Sequence, residues 1–170
     1  MVLQYFVNSS ETGKRIPVDI DRATDADLAA TKEGWQTDWT SEFIRDPSLE
    51  KYTARTASGE IVALGAYRET ESSMFVYIQY IESPPASNPT LTPKKKYLNI
   101  GRMMVAFGIQ LSIDSGKNGV VTFEAKTSEL ARHYIQDFGA IRIFPKYSGG
   151  PIMLMIADHA AISIFNTYLS

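Results

Sequence analysis

The clearest periodic signal in the chain is the recurrence of Ile100, Met103, Met104, Phe107 and Leu111 at the i, i+3, i+4, i+7 and i+11 spacing of one buried helical stripe. Ser115 and Gly116 stop that helix, because glycine takes the left-handed conformation that closes a helical turn. On either side the pattern changes to the dense apolar runs of strands. Residues 2–7 form the first, residues 8–14 make a turn, and residues 15–21 extend or pair with it. Residues 23–35 then read as a helix that Thr24 or Asp25 caps and Gly34 ends, followed by a second short helix at about 41–45. Trp35 and Trp39 flank this junction four positions apart, the spacing of aromatic pairs that pack on the body of a fold.

Strands at about 51–56 and 60–69 are joined by Ala57, Ser58 and Gly59 as a hairpin turn, and a third strand over 75–81 completes an antiparallel meander. Pro84, Pro85, Pro89 and Pro93 keep the next segment out of any sheet or helix interior, so it is a loop. After the long helix, residues 119–125 form a short buried strand. Strand, long helical crossover and strand predict a parallel pair. Thr127 or Ser128 caps the next helix, with Leu130, Ala131, Tyr134, Ile135 and Phe138 on one face and Gly139 at its end. Two strands at about 140–145 and 152–157, around a turn at 148–150, precede a terminal helix over 160–168, within about 158–169. The order predicts an α/β layer structure with a mixed, mostly antiparallel central sheet and flanking helices.

Composition narrows what such a fold does. At 170 residues the chain fits one domain spanning 1–170, with 44% hydrophobic and 21% charged residues. Seventeen basic against nineteen acidic residues give a net charge of −2, so no global field favours a nucleic acid or an anionic membrane, and any anion site is local. The absence of cysteine removes disulfides, thiolate metal sites and a thiol nucleophile, leaves no expected metal, and agrees with a reducing cytoplasm. No leader pattern opens the chain and no run of about 18 apolar residues occurs, so it is expected to be soluble and cytoplasmic.

The candidate chemistry sits where the lysines Lys94, Lys95 and Lys96 lead into the long helix through Tyr97, Leu98, Asn99, Ile100 and Gly101. The first turn of a helix has unpartnered N–H groups and a partial positive charge, which suits a phosphate. The alternative is an ordinary core helix behind a solvated lysine run. With the element order around it, this stretch resembles the pyrophosphate signature of the GCN5-related N-acetyltransferases: Arg or Gln, two residues, Gly, one residue, then Gly or Ala. The resemblance covers about residues 16–157 and implies an acyl-CoA N-acyltransferase-like fold with a splayed parallel strand pair. Lys96 replaces the Arg or Gln and keeps a donor and a positive charge. Asn99 replaces the first glycine, and asparagine is the non-glycine residue most at ease at positive φ.

Carried over position by position, the resemblance implies acetyl-CoA as cosubstrate. Lys96, Leu98, Asn99, Ile100, Gly101 and Arg102 hold its pyrophosphate, Ile81 and Ser83 at the splayed strand end pair with its pantetheine, and Lys94 or Lys95 meets the 3′-phosphate. In the helix after the splayed strand, counting back from Gly139 puts Ser128 at the family's asparagine and Ala131 at its alanine. The same count puts Ile135 at the family's tyrosine. Tyr134 fills that role if the helix end carries one extra residue, and otherwise belongs to the apolar stripe.

Acetyl transfer to an amine needs a neutral amine, a stabilised oxyanion and a proton for the thiolate. Alkyl amines titrate near about 10.4 and thiols near about 8.5, so at neutral pH the base matters more than the acid. Glu82, at the end of the central strand, is the candidate base, with Glu124 on the neighbouring strand as the alternative, and Tyr134 is the candidate acid. A backbone N–H near 81–83 takes the oxyanion. His133 lies beside Tyr134 and reads as a surface residue, as does His159. The expected activity is therefore an N-acetyltransferase acting by direct attack in a ternary complex on a primary amine of a small molecule or peptide. Residues 35–44 and 84–93 bound the acceptor, and exposed strand edges leave room for a homodimer. The competing readings are a catalytically inactive binding or sensor module with this fold and, against the acidic balance, a nucleic-acid binder.

Overall fold

The computed structural model describes residues 2–145 and 147–170. Nine strands form one sheet: β1 (Tyr5–Ser9), β2 (Arg15–Arg22), β3 (Leu49–Thr56), β4 (Ile61–Arg68), β5 (Val76–Glu82), β6 (Tyr97–Leu98), β7 (Val121–Ala125), β8 (Ile141–Ile143) and β9 (Ile152–Ile156). Their order across the sheet is β6-β1-β2-β3-β4-β5-β7-β9-β8. Every pairing is antiparallel except β5 with β7, which is the expected parallel pair. The helices are α1 (Asp25–Ala29), α2 (Ile100–Asp114), α3 (Ser128–Phe138) and α4 (Asp158–Asn166). None of them, among the described residues, is long and apolar enough to cross a membrane.

Most of the α2 stripe is buried as its periodicity predicts: Met103 and Met104 have no exposed surface and Ile100 and Phe107 almost none, while Leu111 is half-buried. The helix sits close to β4 because Gly65 has no side chain. A Cβ there would lie 2.7 Å from both the Met104 methyl and the Tyr67 ring. Tyr67 fills the space beside it and donates its hydroxyl proton to the Met104 carbonyl at 2.7 Å. A second, smaller core lies on the other face of the sheet, where Trp39, Ile44, Leu49, Leu64 and Ala66 pack together and Trp39 is fully buried.

Several expectations need correction. The first strand begins at Tyr5, since Val2 and Leu3 pair instead with Ser170 and Leu169. The same pairing draws Leu169 and Tyr168 out of the terminal helix, which ends at Asn166. The segment at 41–45 is a single 3₁₀ turn, Glu42–Ile44, too short for an α-helix. Tyr97 and Leu98 form an unforeseen strand against β1. The α3 stripe is not a buried face: Ala131 is covered, while Leu130 and Ile135 are 42% and 41% exposed.

One buried carboxylate ties α1 to the sheet. Thr24 and Asp27 cap each other reciprocally, and Asp27 also accepts hydrogen bonds from Thr53 and Arg55 of β3. Burial raises the Asp27 carboxyl, but the bonds from Arg55, the Thr24 N–H, Thr53 and the Thr24 side chain outweigh it and hold it at about 2. A depressed carboxyl stabilises the fold above the unfolded value near 3.8, and that contribution is lost as pH falls from about 4 through 2. Asp27→Asn is expected to cost about 2 kcal/mol at pH 7 and to flatten the loss between pH 4 and 2, read by urea unfolding at each pH.

Candidate functional site

The parallel ladder between β5 and β7 runs through Val76–Val121, Tyr77–Thr122 and Ile78–Phe123 and then stops, although both strands continue. The cause lies on the other side of β5. The β4 register shifts between Ala66 and Tyr67, so that Gln79 is an extra residue, and such a bulge bends the strand that carries it. Beyond that point Gln79–Glu82 diverge from Glu124 and Ala125, and a cavity of about 210 Å³ opens between them.

Side-chain direction tells where this cavity leads. Phe123 and Ala125 belong to the core under α2, so Glu124 and its alternate neighbour Thr122 point to the opposite face. The cavity is lined from the α2 side by Val105, Phe123 and Tyr134, and from the other side by Tyr80, Glu124 and Lys126. It therefore passes through the sheet. Leu130 and Tyr134 also line a second cleft of about 430 Å³, which continues to Ser83, Lys95, Leu98, Asn99, Gly101, Arg102 and His133. These two α3 residues stay partly uncovered because their helix flanks a gap.

At the far end of that cleft Asn99 precedes α2 with φ 67° and ψ 23°, the left-handed conformation. Its carbonyl receives the first helical bond, from Met103 N–H at 3.1 Å, and its amide donates to Asn8 Oδ1 at 2.9 Å. The N–H groups of Ile100, Gly101 and Arg102 precede that first bond and face no intrahelical partner. Lys95, Arg102 and His133 add cationic or protonatable side chains to the same walls. Together these features fit a polyphosphate at the α2 start. Among the described residues no group of His, Asp or Glu side chains is placed to hold a metal ion.

The structure brings Ile81, Ser83, Leu98, Asn99, Ile100, Gly101, Arg102 and Tyr134 to these two connected clefts. It does not bring Lys96 or Ser128. Lys96 turns away and pairs with Glu60 at 2.8 Å, and Ser128 lines a separate hollow with Arg132 and Ile135. His133 is exposed and paired with Asp137 at 2.6 Å while its ring lies beside Tyr134. Burial pushes the Tyr134 phenol up from its ordinary value, so it keeps its proton at neutral pH.

Glu82 has a setting that its position in the sequence does not reveal. It is 4% exposed, and its carboxylate accepts hydrogen bonds from Gln36 N–H at 3.0 Å, Thr37 N–H at 3.4 Å and the Trp39 indole Nε1 at 3.0 Å. Those donors anchor the loop after α1 to the end of β5. Glu124, by contrast, is exposed at the gap.

No family model matches the sequence, and no curated protein matches it. Solved structures share its fold. AAC(6')-Ib in complex with paromomycin and acetyl-CoA is 15% identical, with a TM-score of 0.58 over 86% of this chain and 96% of that one. A variant of the spermidine N-acetyltransferase SpeG from Vibrio cholerae is 11% identical, with a TM-score of 0.56 over 85% and 96%. A Bacillus subtilis acetyltransferase in complex with CoA is 14% identical, with a TM-score of 0.53 over 83% and 97%.

Proposed function

We propose that this chain, which has the fold of the GCN5-related N-acetyltransferases, acts as one domain that moves an acetyl group from acetyl-CoA to a primary amine of a small molecule. The observation that carries the reading is the gap between β5 and β7, which joins the free N–H groups at the start of α2 to the opposite face of the sheet. The structures of the same fold in complex with CoA, and with paromomycin and acetyl-CoA, and that of a spermidine N-acetyltransferase, support it.

Acetyl-CoA, when bound, supplies an activated acetyl thioester. The backbone from Leu98 to Arg102 holds its pyrophosphate, with Lys95 and Arg102 beside it, and the released edge at Ile81 and Ser83 pairs with its amides. The same edge offers an N–H to the carbonyl oxygen. Glu124, exposed at the far mouth of the gap, would take the proton of the incoming ammonium group, and Tyr134, which lines the gap with its phenol protonated, would give a proton to the departing thiolate. Glu82 is assigned to holding the 36–39 loop, which walls the acceptor side.

Calorimetric titration with acetyl-CoA tests the first half and is expected to give micromolar binding. Absence of binding sinks the proposal. Thiol release across an amine panel tests the second half, and binding without any release would make this a binding module.

A further inference from the structure

Resting on the proposed function, we infer that the acceptor is a monoamine carried on an aromatic body with a polar group at its far end, seated on the face of the sheet opposite α2. A hollow of about 280 Å³ lies on that face, lined by Arg68, Tyr77, Thr122, Ile143, Phe144 and Met153 among others. It adjoins the gap directly. Tyr77 and Thr122 are register partners, and Thr122 lies two residues before Glu124 on the same face of β7, about 7 Å along the strand. Met153 and Ile143 stand in register with Glu124 on β9 and β8 and extend the same strip.

Three observations specify the occupant. Phe144 is 97% exposed at the rim, an aromatic ring with no cover of its own, and Phe43, 63% exposed, stands edge-on to Tyr80, which lines the gap. Thr122 is 2% exposed, and its hydroxyl is the one buried side-chain polar atom without a hydrogen-bond partner among the described residues. A buried hydroxyl left unpaired is unfavourable, and Thr122 is part of the hollow's wall. Finally, Glu124 is the one carboxylate among the described residues that line either the gap or the hollow, with Lys126 in the gap's lining and Arg68 in the hollow's. One carboxylate alongside two cations suits one ammonium group and opposes a polycation.

The test is calorimetric titration of tyramine, 2-phenylethylamine, spermidine and paromomycin into the protein, with and without CoA. Tyramine is expected to bind most tightly, 2-phenylethylamine next, and both about tenfold or more above the two polyamines. Phe144→Ala, at an exposed position that the fold does not need, is expected to weaken both aromatic amines about tenfold and leave CoA affinity unchanged. Thr122→Val, which keeps the side chain's shape, is expected to bring tyramine down to 2-phenylethylamine. Polyamines that bind as tightly as the aromatic amines, or aromatic affinities that both substitutions leave unmoved, overturn the inference. Failure of CoA to bind would sink the proposed function alone, since the titration without CoA still reports the hollow.

Discussion

Glu82→Ala is expected to lower the unfolding free energy by about 3–5 kcal/mol, because it strands three donors that now share one buried carboxylate. The Trp39 indole is the worst placed of them: Trp39 has no exposed surface, so water cannot replace the lost acceptor. At this chain length the loss lowers the melting temperature by roughly 10 °C. Glu82→Gln separates a positioning role from a catalytic one. Its amide oxygen still accepts from Trp39, but its amide nitrogen confronts the N–H groups of Gln36 and Thr37, so about 2 kcal/mol is expected to be lost and the Michaelis constant for the amine to rise. Were Glu82 the proton acceptor as well, the same stability loss would come with abolished turnover at unchanged amine affinity. Glu124→Gln is the converse case. An exposed strand-end carboxylate bears little of the fold, so melting is expected to stay put while turnover falls about a hundredfold. A Glu124→Gln enzyme as active as the parent would return the base to another group.

These two glutamates mark what the sequence makes legible. Both stand at strand ends beside the gap, and the periodicity of β5 and β7 with the helix between them is enough to place them there. What separates them is invisible in side-chain identities. The donors to Glu82 are mainly backbone N–H groups of a loop more than forty positions away, and every residue but proline carries such a group. The bulge at Gln79 that opens the gap is equally silent, since nothing about a glutamine in a strand announces an extra residue. Lys96 shows a related effect: its charge suits a phosphate, but in the free protein it pairs with Glu60, next to β4. Ser128 occupies the expected helical start, yet 100° per residue turns it to the far side of α3 from Leu130 and Tyr134. Local signals fared better. The stripe of α2, the cap at Thr24 and the conformational tolerance of Asn99 are each properties of a few adjacent residues.

Asn99→Val is expected to weaken acetyl-CoA binding by about ten- to a hundredfold, whereas Asn99→Gly should stay within about threefold of the parent. The φ of 67° costs an ordinary L-residue about 1–2 kcal/mol, and a β-branched side chain more, because its second γ-branch meets the backbone. Valine also loses the bond to Asn8, which ties the turn to β1. Relief comes from rotating residue 99 to negative φ. That rotation re-aims the N–H groups of Ile100, Gly101 and Arg102, the only ones before the first helical bond at Met103. Glycine loses the same Asn8 bond without the steric penalty, so the pair of substitutions isolates conformation from hydrogen bonding. Because residue 99 is exposed and Ile100, Met103 and Met104 anchor α2 in the core, neither change should alter the helix content seen by circular dichroism. A Val variant that binds acetyl-CoA as tightly as the Gly variant would show that the left-handed turn is not what holds the anion, and the phosphate site would then have to lie elsewhere along the cleft.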